Sequence, residues 1–153
     1  MIRVHVICEG QSEEAFVNEI LCPSFYAQGI QLLPALIGRP GHKGGNFKFE
    51  RLLPEVEKRL LGDANCYCTT FFDFYGLPES FPGKEDVTDN DTIAQKSSKV
   101  NQATIIKLTE KLGENAMRRF IPFIQIAYRL MFHFIPSRAN YGIKLRRNQS
   151  KKR

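Results

Sequence analysis

Residues 2–10 read IRVHVICEG and decide the fold. The run from Ile2 to Cys8 is short, apolar and rich in Val and Ile, which is typical of a buried strand and not of a helix. Glu9 and Gly10 then end the apolar pattern. The first element is therefore predicted to be a strand with an acidic residue at its carboxyl end, the edge at which open α/β sheets bind ligands.

A helix is expected to follow this strand. We predict it over residues 13–21, with Ser12 as its N-cap, and we expect Pro23 to interrupt the chain after it. Glu13 and Glu14 would lie in the first turn, where negative charge complements the helix dipole. Since this turn starts beside the preceding acidic residue, either glutamate can also turn toward the same edge of the sheet.

The rest of the chain continues the alternation of strands and helices. Apolar spacing predicts a strand at about 31–37, a helix over 49–62, a strand from Tyr67 to Phe74, a helix capped by Asp91 and closed by Gly113, and a strand over 119–126. The order β-α-β-α-β-α-β predicts an α/β fold, a single domain with a parallel four-stranded sheet flanked by helices. Asp73, at the end of the third strand, would share an edge with Glu9.

The charge of the chain is unevenly distributed. The formal net charge is +6 over 153 residues, but residues 1–114 hold 12 basic and all 16 acidic residues, and residues 115–153 hold 10 basic and none acidic. The basic isoelectric point thus describes the end of the chain and not the predicted edge of the sheet. We expect an α/β domain over 1–126 and a divergent, disordered basic tail over 127–153.

Cysteine usage and hydropathy indicate a cytoplasmic protein. Cys8, Cys22, Cys66 and Cys68 form no C-x-x-C pair, and the N-terminus lacks the pattern of a secretion signal, so we expect free thiols. Those at 66 and 68 share one face of a strand and are expected to be buried. No uninterrupted apolar stretch reaches the roughly 18 residues of a membrane span, so no membrane partner is expected.

Three segments together resemble a known family. They read VICEGQSEE at 6–14, GRPGHKGG at 38–45 and FFDFYGLP at 71–78. Their combination is similar to the bacterial domain of unknown function 4276, a TOPRIM-like family, over about residues 1–125. TOPRIM proteins include primases, topoisomerases and overcoming-lysogenization-defect nucleases.

The resemblance implies a site with an acid–base residue and a metal ligand. It assigns Glu9 as the general acid or base and Asp73 as the ligand of Mg²⁺, with Mn²⁺ as a substitute. The implied activity is metal-dependent phosphodiester hydrolysis on nucleic acid, with an ATPase as a partner. The chemistry agrees, because Mg²⁺ neutralises charge in phosphoester cleavage and is commonly held by one or two carboxylates.

Further residues are candidates for substrate binding. The glycine-rich loop offers backbone amides with Arg39, His42 and Lys43 as donors to phosphate, although it contains no Walker A motif and can equally be a plain connection. Tyr75 stands where the TOPRIM pattern has a second aspartate, so one metal carboxylate is missing. Its ring can stack on a base or bind a phosphate, or simply pack at the strand end.

The resemblance stops abruptly near Gln125. The family continues there with an acidic and aromatic segment, whereas residues 126–134 contain no acidic residue. We hypothesise that the reading frame changed at this point. Besides a nuclease, the sequence is therefore compatible with a noncatalytic subunit that binds nucleic acid or an ATPase, or with an inactive truncated family member.

Overall fold

The computed structural model describes residues 1–38 and 48–126. The elements in chain order are β1 (Ile2–Cys8), α1 (Gln11–Phe16), a π-helix (Val17–Leu21), α2 (Cys22–Tyr26), β2 (Ile30–Leu36), a 3-10 helix (Phe49–Arg51), α3 (Leu52–Gly62), β3 (Cys66–Asp73), a 3-10 turn (Phe74–Gly76), α4 (Ile93–Leu112), α5 (Glu114–Met117), β4 (Phe120–Ile121) and β5 (Ile124–Gln125). The predicted α/β fold with a parallel sheet is confirmed.

All strand pairs in the sheet are parallel. The order is β2-β1-β3-β4, with β5 also paired to β3. Cys8 at the end of β1 is opposite both Leu36 of β2 and Phe71 of β3. The carboxyl ends of the three longest strands therefore meet at one edge, which positions Glu9 next to the end of β3.

The fourth strand is divided into two short pieces, β4 and β5. Pro122 between them has no N–H, so it cannot donate to the ladder. The buried Thr70 hydroxyl fills the gap, because it donates to the Phe123 carbonyl and accepts from the Phe123 amide, both at 2.9 Å. The single strand predicted over 119–126 is thus interrupted by a side-chain bridge from β3.

The two faces of the sheet are covered unequally. We call inner the face that carries Ile7, Cys68 and Phe72, which pack with residues of α3 and α4 in the larger core. We call outer the opposite face, where Val6 and Phe71 pack with residues of the π-helix and its neighbours. Side chains alternate between the two faces along each strand.

The first helical region departs from its prediction in two ways. It begins at Gln11 and its N-cap is Gly10, which is extended and makes no side-chain cap bond, so the expected cap at Ser12 is wrong. Pro23 does not break the region either. The chain widens into the π-helix before it, and Pro23 then occupies the first turn of α2, where a missing N–H is tolerated.

The long connection before α4 is held by side chains. Lys99 of α4 donates to the Asp86 carbonyl at 2.8 Å and pairs with Asp91 at 2.7 Å. Asp91 also accepts from the Thr88 amide, so the carboxylate closes the loop and is not the helix cap that we predicted. The cap is Thr92, which forms a reciprocal capping box with Gln95.

The predicted free thiols are confirmed. Cys8, Cys66 and Cys68 are buried, Cys22 is partly buried, and none forms a disulfide. In the part of the chain that the structure describes, no helix combines the length and the apolar character needed to cross a membrane. The predicted basic tail at 127–153 lies outside the described residues.

Candidate functional site

The structure brings Glu9 and Asp73 together at the carboxyl edge of the sheet. Glu9 is the first residue after β1, and Asp73 is the last residue of β3. The Asp73 amide donates to Glu9 Oε2 across an N···O distance of 3.4 Å. Two residues 64 positions apart in the sequence thus become neighbours because β1 and β3 pair in parallel.

The Asp73 carboxylate is oriented by the turn that follows it. Its Oδ1 accepts from the Tyr75 amide at 3.2 Å, which caps the 3-10 turn Phe74–Gly76. This bond engages one carboxylate oxygen and fixes the side chain. Since an ionised carboxylate has two acceptor oxygens, Oδ2 can serve as the ligand of a cation.

Gly76 makes room for the Glu9 carboxyl group. A Cβ atom on Gly76 would lie 2.6 Å from Oε1 and 3.1 Å from Oε2 of Glu9, far inside contact distance. Only a glycine at this position lets the carboxyl group remain where it is. The turn after β3 therefore contributes two features to the site, an amide for Asp73 and a cleared surface for Glu9.

Burial makes Glu9 a group that titrates near neutral pH. Loss of solvent raises its pKa to about 7, opposed by the hydrogen bond from the Asp73 amide; the charges of Glu13 and Asp73 add to the rise, and that of Lys84 opposes it. Both the protonated and the ionised form are then populated at physiological pH. A carboxyl group of this kind is suited to general acid–base catalysis.

Lys84 is a buried cation near the site that sequence reasoning missed. It donates to the Leu77 carbonyl, pairs with Glu79 at 3.2 Å and lies 5.3 Å from the centre of the Phe74 ring. These contacts tie the long connection to the turn that carries Gly76. No signal in the sequence could have found it, because it stands among polar residues of a predicted loop.

Glu13 lies close to the corner between β1 and α1. Its Oε2 is 2.9 Å from the position that a Cβ on Gly10 would take, and its charge contributes to the raised pKa of Glu9. Glu13 is thus both a first-turn residue of α1 and a neighbour of the site. Glu13 can therefore complement the dipole of α1 and also act on Glu9.

The remaining candidate residues differ in what the structure shows of them. The Tyr75 side chain is 56% exposed, and its ring contacts the edge of Phe74 with centroids 5.3 Å apart. Arg39, His42 and Lys43 lie outside the described residues. Gly38, the last described residue before them, follows β2, and β2 ends at the same edge as β1 and β3.

The two carboxyl groups fit an open metal site with few protein ligands and do not fit an enclosed site with three or more. Among residues 1–38 and 48–126, no group of three or more His, Cys, Asp or Glu side chains could enclose a metal ion. Mg²⁺ does not require such a cage, because it keeps several waters and is usually held by one or two carboxylates plus substrate phosphate. Asp73, with Glu9 beside it, suits that open type of site.

Fold and site define a small parallel α/β protein with Glu9 and Asp73 adjacent at the carboxyl edge of its sheet, the edge at which open α/β sheets bind ligands. Comparison with family models matches residues 8–128 to the family described as domain of unknown function (DUF4276). The chain therefore belongs to this family, and the match includes both carboxyl residues and the turn after β3. Searches of curated proteins and of solved structures found no match.

Replacing the Glu9 carboxyl group by an amide is expected to stabilise the fold at alkaline pH. The pKa of this group rises from 4.5 in the unfolded chain to about 7 in the fold, so between these values the folded protein retains a proton that the unfolded chain releases. The stability that the protonated carboxyl group contributes is fully present below pH 4.5. It is lost as pH rises through the folded-state pKa of about 7. Glu9→Gln removes this loss.

We predict that Glu9→Gln exceeds the wild type in free energy of unfolding by roughly 1 to 2 kcal/mol at pH 8, and by much less at pH 4.5. A pKa shift is usually worth about 1.4 kcal/mol per unit, and we reduce this value because Glu9 is only partly buried. Urea denaturation across this pH range measures it. Glu57→Gln, on the exposed side of α3, is the matched control, and a pH-independent difference for Glu9→Gln would contradict the prediction.

Substituting Gly76 is expected to displace the Glu9 carboxyl group into solvent. In Gly76→Ala the new methyl group would overlap Oε1, and the glutamate is flexible enough to move away. The pKa of Glu9 should then fall toward its ordinary value, which carboxyl-carbon NMR measures. Gly62→Ala is the control, because a Cβ there meets no atom within 4 Å. If the pKa of Glu9 is unchanged in Gly76→Ala, the Glu9 carboxyl group does not pack against Gly76.

Proposed function

We propose that this protein hydrolyses phosphodiester bonds in nucleic acid with the help of Mg²⁺. The observation that carries the proposal is the pairing of Glu9, a carboxyl group with a pKa of about 7, with Asp73 at the carboxyl edge of the sheet. Parallel sheets present their ligand sites at this edge. The same two residues match the acid–base and metal positions that the TOPRIM resemblance implies.

The two residues have separate roles in this proposal. Asp73, oriented by the Tyr75 amide, is the metal ligand, and Glu9 donates or accepts the proton of the reacting oxygen. The cation supplies stabilisation of the negative charge that develops on the phosphate oxygens. The Asp73 amide holds the Glu9 carboxyl group in place, and the proximity of Lys84 limits how far its pKa rises.

Nucleic acid is the proposed substrate because of the exposed Tyr75 and the basic residues that the sequence places in the glycine-rich loop. The exposed Tyr75 ring can stack on a base, a contact worth about 1 to 3 kcal/mol per base. Arg39, His42 and Lys43 would supply donors to the phosphate backbone. The family resemblance adds an ATPase partner and a role in phage defence, and the four free thiols agree with a reducing bacterial cytoplasm.

A noncatalytic accessory subunit is the second candidate. Two observations favour it: Tyr75 replaces the second aspartate of the TOPRIM pattern, and residues 126–134 lack the acidic segment that the resemblance leads one to expect there. Such a subunit would use the same edge to bind nucleic acid or the ATPase. Its binding would be strong at low salt, weak at high salt and independent of Mg²⁺.

Carboxyl substitutions distinguish the two functions. We predict that the wild-type chain nicks plasmid DNA or cleaves single-stranded RNA only with Mg²⁺ or Mn²⁺, and that Glu9→Gln and Asp73→Asn each lower the rate at least 100-fold, as expected for loss of an acid–base group or a metal ligand. Gel assays of both substrates measure the rates. Circular dichroism checks that the variants remain folded.

Glu57→Gln is the matched control, because this carboxylate is exposed on α3 and is expected to leave the rate unchanged. Full activity in both site variants would eliminate the proposed mechanism. A wild-type chain that binds nucleic acid without metal and never cleaves it would instead establish the accessory function.

A further inference from the structure

Arg51 brings a cation to the carboxyl edge of the sheet. Its Nη1 atom lies 3.8 Å from the position that a Cβ on Gly38 would take. Gly38 is the second residue after β2, and the Ile37 amide before it donates to the Cys8 carbonyl at 2.9 Å. Because neighbouring strands are about 4.8 Å apart, the end of β2 is one strand away from Glu9. The guanidinium group therefore lies at the same edge as the two carboxyl groups of the site.

The backbone of Arg51 is held in place by its neighbours. Its amide donates to the Lys48 carbonyl at 2.9 Å, and Leu52, the next residue, is fully buried. Two positions earlier in the same 3-10 helix, the Phe49 ring packs edge-on against Phe81 with centroids 5.6 Å apart. The element that carries the guanidinium group is thus anchored on the core, and the Arg51 side chain extends from it to solvent.

The charge of Arg51 does not stabilise the fold. Among residues 1–38 and 48–126, no carboxylate forms an ion pair with it. It also occupies the N-cap of α3, where the helix dipole favours a negative charge and not a positive one. A cation in this position is available to an anionic ligand.

A phosphate backbone that approaches the carboxyl edge needs such a cation. The carboxyl groups of Glu9 and Asp73 lie there, and negative charge at a binding site repels a polyanion. Lys84 does not offset this repulsion by contacting the ligand, because its ammonium group is buried in contacts with the connection after β3. Arg51 is exposed, and its planar guanidinium group can donate two parallel hydrogen bonds to one phosphate.

We propose that Arg51 binds a backbone phosphate of the nucleic acid, beside the phosphate that faces the carboxyl groups. The bound strand then crosses the carboxyl end of β2 as well as those of β1 and β3. This inference rests on the nucleic-acid substrate of the proposed function, but it does not require hydrolysis. The contact sets the position and affinity of the strand and not its sequence, because phosphates carry no base information.

Binding of a fluorescently labelled single-stranded DNA oligonucleotide, followed by anisotropy with Ca²⁺ in place of Mg²⁺, tests this proposal. We expect Arg51→Met to bind roughly tenfold more weakly at low salt, as for the loss of a charge-assisted contact. The slope of log K against log salt concentration should fall in magnitude by about 0.7, the value for one phosphate of a single strand. Arg51→Lys should keep the slope and bind with intermediate affinity, because it retains the charge and loses the planar fork.

Arg118→Met is the matched control. This arginine is also exposed, and it precedes β4, which begins opposite Cys68 in the amino-terminal half of β3. The variant loses the same charge away from the carboxyl edge, so it should keep the affinity and the slope of the wild type. Circular dichroism checks that all variants remain folded.

An unchanged affinity and slope in Arg51→Met would overturn the proposal. Equal losses in Arg51→Met and Arg118→Met would also overturn it, because they would show an effect of net charge alone. So would a wild-type chain that does not bind the oligonucleotide at low salt. Cleavage with Mg²⁺ is measured separately: cleavage with unchanged binding in Arg51→Met eliminates this inference alone, whereas a complex that depends on Arg51 and is never cleaved eliminates the hydrolysis alone.

Discussion

The parallel pairing of β1 with β3 is the constraint on which the rest of the structure depends. With Cys8 opposite Phe71, the two central strands end at the same level, and the residues that follow them meet. A shift of one residue would exchange the inner and outer faces and separate Glu9 from the Asp73 amide. Packing on both faces of the sheet fixes the register of β1 and β3, and the register places Glu9 beside the Asp73 amide. The position of the two residues therefore depends on the core of the domain.

Burial of the Glu9 carboxyl group costs free energy when the group ionises, and the turn after β3 offsets part of this cost. A glutamate placed against Gly76 loses solvent, and its ionised form becomes unfavourable. The turn after β3 offsets part of this cost with one amide hydrogen bond, while Lys84 fastens the next segment of chain beneath it. A pKa raised by burial in this way is common among groups that transfer protons.

The sequence was sufficient for the order of elements and for the edge at which Glu9 and Asp73 meet, because apolar periodicity and parallel topology determine both. It was insufficient where a tertiary contact overrides a local preference. The hydroxyl of Thr70 bonds to Phe123 across the break in the last strand, and Asp91 pairs with a lysine of α4 instead of capping that helix. The contribution of Lys84 depends on the path of an irregular connection, for which no periodic pattern exists.

Titration with Mn²⁺, followed by paramagnetic line broadening in NMR spectra of the full chain, tests most directly whether the carboxyl pair is a metal site. We predict saturable broadening that is strongest at Glu9, Asp73 and the turn over 74–76, and that Mg²⁺ reverses by competition. Asp73→Asn should abolish it. Broadening centred on the acidic connection at 85–91, or none that saturates at the edge of the sheet, would contradict the account.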